Sequence, residues 1–207
     1  MAIIFGCSIS ILGYMNAEKI VSYFMSDPDV IPMCNDYTSI GYLSVYFMVA
    51  SFVFQGFYTG IEKTKIHMIV TITSNIINLY FNVGLIYGSE TVSSFFTDSL
   101  PIFSWMTILW SWADFPALGV KGAAISTLIA SIWTFIHYSL FLYNNQIRSK
   151  FEIFKLKLDY SMLKRQIRLA IPQGFQEFVV TGGFACFFKI LGMVGTVELA
   201  TTEVVFT

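Results

Sequence analysis

Residues 66 to 88, IHMIVTITSNIINLYFNVGLIYG, follow Lys65 and contain no charged side chain. About 20 residues of this kind carry a helix across a bilayer core, so the stretch reads as a membrane-spanning helix. Its polar residues are ordered. Thr71, Asn75, Asn78 and Asn82 stand at i, i+4, i+7 and i+11, within an arc of about 60° at roughly 100° per residue. Ile72, Ile76, Leu79 and Val83 hold the neighbouring arc. Hydrocarbon offers an amide no partner, so this stripe is expected to face protein or a water-filled cavity. Interhelical hydrogen bonding meets that need, and so does a path for a ligand or ion. Both readings stay open at this point.

The composition agrees with a membrane setting. Of the 207 residues, 56% are hydrophobic and 12% charged, against about 25% charged in soluble domains. Mean hydropathy is +0.68. The class is therefore all-α integral membrane protein. A net charge of −1 gives no reason to expect nucleic acid as a partner; the lipid bilayer is the expected one. Cys7, Cys34 and Cys186 are far apart and form neither a CxxC pair nor a disulfide framework. No Lys or Arg precedes Lys19, so the basic n-region of a secretory signal is missing and the amino terminus is not expected to be one.

Spans are predicted outward from the quoted helix. Residues 2 to 15 are apolar but short of a full span, and Asn16, Glu18 and Lys19 follow. Either the helix runs on to Met25 or its beginning lies upstream. SDPDVIP (26–32) is a turn with two acids and two prolines, and a second span is expected over 33–58, with Gln55 near its end. Asp36, near the start of that span, is read as lying at an exposed helix end. GIEKTK (60–65) connects it to the asparagine helix. Residues 89–118 hold Trp105, Trp110 and Trp112 among Asp98, Pro101, Asp114 and Pro116. That segment is too interrupted to span and is expected to be a loop with its tryptophans at the membrane interface. Residues 119–143 form the next span, where Gly122, Ser126, Ala130 and Thr134 recur every four residues and allow close helix approach. His67 and His137 are read as hydrogen-bonded packing residues. Residues 144–168 form a basic connection, and the last span covers 169–191, with Pro172 near its start and Lys189 snorkelling at the far end.

Charge sets the expected orientation. Lys63, Lys65 and the basic run Arg148–Arg168 fall on one side if the spans alternate; Asp27, Asp29, Glu90, Asp98 and Asp114 fall on the other, with Lys19 and Lys121 the main basic exceptions there. Positive loops face the cytoplasm, so 60–65 and 144–168 are expected there, in a multi-pass protein of the cell (plasma or inner) membrane.

Several stretches, in this order and spacing, resemble the multidrug and toxic compound extrusion (MATE) family: SDPDVIPMCNDY (26–37), FQGFYTGIEKTK (54–65), NIINLYFNVGLIYG (75–88), FPALGVKGAAISTLIA (115–130), LAIPQGF (169–175) and VGTVELAT (194–201). Each alone is weak; together they cover nearly the whole chain. The resemblance implies a helical bundle of twelve spans in two lobes, of which this chain would supply about five: residues 1–143 in the amino-terminal lobe (helices three to six), 144–168 as the inter-lobe connection, and 169–207 as the seventh helix and the beginning of the eighth. On that reading the chain is a fragment and does not transport alone. The resemblance further implies a secondary active transporter rather than an enzyme, an antiporter that exports organic cations or other amphipathic small molecules in exchange for protons or sodium, with no other cofactor.

By the same resemblance, a cation site in the amino-terminal lobe maps to Asn78, Asn82 and Thr127, with Asn82 neutral where the family pattern can carry an acid. Depth agrees: at 1.5 Å rise per residue, Asn82, Thr127 and Asn78 lie about 9, 12 and 15 Å inward of Gly88 and Gly119. Glu177 is the one carboxylate deep in a span, about 13 Å from Arg168 by the same rise. It is expected to face the bundle interior, as a proton- or substrate-handling group or as half of a structural pair; the family's acid on this helix stands where this chain has Val180. Gln55, Thr71 and Asn75 are candidates for the substrate path. Amides cannot exchange protons, so proton coupling through Glu177 is expected over sodium coupling through Asn82. The alternatives are a lipid-linked oligosaccharide flippase, which would want a cationic central cavity, and a membrane-embedded enzyme, which would want a paired His and acid or a His cluster.

Overall fold

The computed structural model describes residues 2–25, 28–98, 101–143, 160–195 and 201–202. Its elements are α1 (Ala2–Phe24), α2 (Ile31–Gly60), α3 (Thr64–Tyr87), α4 (Ser89–Asp98), a 3₁₀ helix (Pro101–Thr107), α5 (Ile108–Ser111), α6 (Val120–Leu142) and α7 (Tyr160–Val194). No strand occurs among the described residues, and α2, α3, α6 and α7 are each long and apolar enough to cross a membrane. The fold is all-α, as expected. The quoted stretch forms α3 within two residues of its predicted ends. α1 runs unbroken past Glu18 and Lys19 to Phe24, and these polar residues keep it out of the membrane-length set.

Two boundaries differ from the sequence reading. α2 begins at Ile31 and takes Pro32 into its first turn, where the missing N–H has no helical partner to lose. The last helix begins at Tyr160, so residues 160–168 continue the final span; residues 144–159 lie outside the described residues. Pro172 sits inside this helix.

Packing places α6 between α2 and α3, with α1 on the far side of α2. The contact between α3 and α6 rests on small residues. A Cβ at Gly122 would lie 2.2 Å from the Leu85 carbonyl oxygen, so only glycine permits this approach. Ser126 and Ala130 follow at the same spacing and are buried. The recurrence at every fourth residue is thus the α3-facing side of α6, as the spacing indicated. α1 and α2 are joined by the Ser10 hydroxyl donating to the Tyr42 carbonyl at 2.6 Å.

The connection between α3 and α6 is more ordered than a loop. Gly88 ends α3 with φ +80°, a conformation a side chain resists. Leu118 N–H then donates to Leu85 O (2.8 Å) and Gly119 N–H to Ile86 O (3.2 Å), which ties the start of α6 to the end of α3. Trp105 and Trp112 are exposed, whereas Trp110 is 5% exposed and packs against protein. Its indole N–H donates to Tyr80 O at 3.1 Å, its ring stacks on Tyr80 and Phe96, and it covers Gly84. An aromatic with a polar edge suits an interface and a satisfied core position equally well.

α7 has no buried residue. Its Lys189 ammonium lies 3.3 Å from the Tyr23 ring centroid at the end of α1, a cation–π contact in place of simple snorkelling. At the same end of the molecule, Lys121 at the start of α6 pairs with Asp36 at the start of α2, 3.5 Å apart and both about half exposed. Asp36 therefore marks a helix end, as expected.

Candidate functional site

The polar stripe of α3 divides into two halves with different surroundings. Towards the end carrying Gly88, Asn82 Nδ2 donates to Asn78 Oδ1 at 2.9 Å, and the fully buried Ser126 hydroxyl of α6 donates to Asn82 Oδ1. These amide oxygens are taken up by neighbouring donors, which is the geometry of interhelical hydrogen bonding. Thr127 does not join them. Its hydroxyl donates to Ala123 O at 3.0 Å within its own helix. Ser126, one position earlier on the small-residue side of α6, is the partner that the sequence reading missed; its burial in the every-fourth-residue pattern was the available signal.

Towards the other end, Thr71 and Asn75 border an open cavity of about 390 Å³ between α2, α3 and α6. Gln55 lines the same cavity from α2, so all three substrate-path candidates share one space. Ser51, His67 and Tyr138 complete the polar wall that matters most, and Met48 and Phe52 supply apolar surface. No Asp, Glu, Lys or Arg is among the lining residues.

A hydrogen-bonded cluster closes the cavity. Gln55 Nε2 lies 3.3 Å from His67 Nε2, and His67 Nδ1 lies 2.6 Å from the Tyr138 hydroxyl. The Tyr58 hydroxyl donates to Tyr138 O at 3.1 Å, and the rings of Tyr58 and Tyr138 stack with centroids 5.6 Å apart. Tyr58, Val70 and Tyr138 are the buried core of this end, so the histidine stands on a rigid base. Above it, Thr134 donates to Ser74 Oγ at 2.7 Å and ties α6 to α3.

Ser51 stands apart from this network. It is 8% exposed, yet its hydroxyl has no hydrogen-bond partner, although it lines the cavity. Buried hydroxyls are paired in nearly all proteins, with protein groups or with water, so this one is open to a partner from the cavity, water or ligand.

Of the two remaining residues, His137 keeps its sequence reading and Glu177 does not. His137 lies 3.0 Å from the Thr73 hydroxyl and stacks on Phe141, a packing role as expected. Glu177 does not face an interior formed by the described residues. It is exposed on α7 and accepts from Thr181 at 3.4 Å, one turn away. The expectation came from the insertion cost of a carboxylate in a span, and no described helix covers this side of α7. No group of three or more His, Cys, Asp or Glu among the described residues is placed to hold a metal ion.

Membrane-length helices that enclose a polar cavity define a multi-pass membrane protein with a ligand-sized recess. Comparison with known proteins narrows the class. The family model described as MatE matches residues 1–83. The chain is 23% identical to the probable multidrug resistance protein NorM of Agrobacterium fabrum over 189 residues, 90% of this chain and 36% of that protein. It is 22% identical to the probable multidrug resistance protein NorM of Bacillus subtilis over 206 residues, 98% of this chain and 40% of the relative. Similarity to the probable multidrug resistance protein YoeA of Bacillus subtilis is 23% over 179 residues, 85% of this chain and 34% of the relative. No solved structure matches the chain significantly. These matches bear out the resemblance carried by the motifs: the chain is similar to the MatE family model over residues 1–83 and to probable multidrug resistance proteins over most of its length, and it spans 34–40% of the length of these relatives.

Proposed function

We propose that this chain is part of a cation-coupled antiporter that exports organic cations or amphipathic compounds by alternating access. The observation that carries the reading is the cavity between α2, α3 and α6, with Gln55, Thr71 and Asn75 on its wall and an unpaired Ser51 hydroxyl among them. A wall of hydroxyls and amides with no fixed charge beside the Phe52 and Tyr138 rings suits a bulky cation with apolar substituents. The rings offer cation–π contact and the oxygens accept hydrogen bonds. Such a wall discriminates weakly, as export of varied compounds requires. A flippase for a charged lipid-linked sugar would want basic residues there, and the wall has none. The printed names of the relatives, probable multidrug resistance proteins, favour the same reading.

Coupling is assigned to protons, with Glu177 as a titratable group, because Asn78 and Asn82 bond to one another, Asn82 also accepts from Ser126, and neither carries a charge. The cell membrane, with the Gly60–Lys65 turn on its cytoplasmic side, is the setting. Substrate occupancy is tested by placing a single cysteine at Asn75 after replacement of Cys7, Cys34 and Cys186. A saturating organic cation is expected to slow its modification by a small thiol reagent several-fold. Unchanged labelling would remove the cavity from the substrate path.

A further inference from the structure

The sequence reading made His67 a packing residue, and the reading of the cavity as a substrate site has not used it. Its two ring nitrogens are held by groups of a special kind. The Gln55 carboxamide carries a donor on one atom and an acceptor on the other, and the Tyr138 hydroxyl both donates and accepts. With the Gln55 nitrogen turned to it at 3.3 Å, Nε2 of a neutral ring accepts and Nδ1 donates to the Tyr138 oxygen at 2.6 Å; the turn of the carboxamide sets which tautomer the pair accommodates. If a proton adds to Nε2, that nitrogen becomes a donor. A half-turn of the Gln55 carboxamide then presents its oxygen, while Tyr138 goes on accepting from Nδ1. Both states of the ring are therefore fully hydrogen-bonded, and none of the three residues has to move its backbone. A histidine fixed only for packing needs no partner able to reverse its role on the side where a proton would arrive.

The surroundings leave His67 the titratable group through which a charge can enter this cavity. On α2, Tyr58 is engaged with Tyr138 O. On α6, His137 is bonded to Thr73 and stacked on Phe141, away from the cavity wall. Glu62 and Lys63 are exposed in the turn before α3 and Lys65 is exposed in its first turn, two residues before His67, and the acids of α4, Glu90 and Asp98, lie past its opposite end. A charge added at His67 thus faces the cavity with no carboxylate on the wall to offset it.

We propose that His67, clasped by Gln55 and Tyr138, is a proton-binding site of this cavity, and that charging it expels a cationic ligand from the same space. The second half rests on the cavity being a substrate site; the first does not. Like charges confined to one low-dielectric recess repel strongly, so proton and organic cation exclude one another, and each one's departure favours the other's arrival.

Two measurements on the full chain in lipid nanodiscs separate the halves. Histidine-selective nitrogen NMR scanned from about pH 8 to about pH 5 is expected to show both a neutral and a charged pattern of the His67 ring. Gln55→Leu, which keeps the bulk and removes the acceptor, is expected to change the balance between the two. A ring that holds one protonation state throughout, or is indifferent to Gln55→Leu, overturns the proton site. Tetraphenylphosphonium binding is expected to weaken about tenfold over the same range. The ratio of the two dissociation constants should fall to near one in His67→Gln and stay near ten in His137→Gln. Binding that is equal at both pH values in the unmodified chain overturns mutual exclusion. Absence of binding at every pH, with a ring that titrates, overturns the organic-cation reading of the cavity and leaves the proton site standing.

Discussion

The Asn82 carboxamide gives its nitrogen to Asn78 on its own helix and takes the Ser126 hydroxyl from α6, so its loss unpairs Asn78 Oδ1 and breaks the tie to α6, leaving Ser126 only the Ala123 carbonyl of its own helix at 2.9 Å. Interhelical hydrogen bonds in membrane proteins contribute from about 0.6 to 1.7 kcal/mol, and Asn82→Ala is expected to destabilise the chain by about 1–2 kcal/mol in a reversible unfolding titration in mixed micelles. Thr127→Ala should cost clearly less, because its hydroxyl serves only the Ala123 carbonyl of its own helix. Equal losses at the two positions would show that Thr127 is part of the polar cluster after all. The α3 side of this cluster was legible in the sequence, since a helix fixes which of its own residues share a face. The α6 side was not. Thr127 and Ser126 are adjacent and at similar depth, and which one meets Asn82 depends on the rotation of α6, which the sequence gives only through its small-residue spacing. The same limit explains Gln55, Thr71 and Asn75: each was identifiable as a polar residue in a span, but their convergence on one cavity depends on how α2, α3 and α6 lie together.

Among the elements, α6 is the wedge on which the others pack, and its small residues set how closely they do so. Gly122→Ala places a methyl group against the Leu85 backbone, where no side chain can yield, and is expected to cost about 1–3 kcal/mol, as overpacking does. Gly56→Ala on α2 meets nothing within 4 Å and should be neutral or slightly stabilising. If the two variants unfold alike, the close approach of α3 and α6 is wrong. Hydrophobic runs and turn residues located α2, α3 and α6 to within a few residues, because both are local signals. The 89–118 segment escaped that reading. Its short helices are held by tertiary bonds such as Trp110 to Tyr80 and Leu118 to Leu85, and no local pattern announces these. The extension of α7 back to Tyr160 escaped for a related reason, since its charged first turns read as a connection.

On the scale of the whole molecule, the ends of the helices sort consistently. The turn from Gly60 to Thr64 lies at one end of α2 and α3, while Asp36, Lys121 and the start of α4 lie at the other. With the basic end in the cytoplasm, a single cysteine at Thr64 is expected to react only with thiol reagents supplied from the cytoplasmic side, and one at Ser94 only from outside; the reverse pattern would invert the orientation. Glu177 belongs to this scale too, because nothing on its own helix tells which partners surround it. The central claim, proton-coupled export, is tested most directly by organic-cation dye efflux from proteoliposomes that contain the protein expressed from its complete reading frame. The account predicts efflux that follows an imposed pH gradient without sodium, and that Glu177→Gln lowers it more than Asn82→Ala does. Efflux that requires sodium at constant pH and survives Glu177→Gln would contradict it.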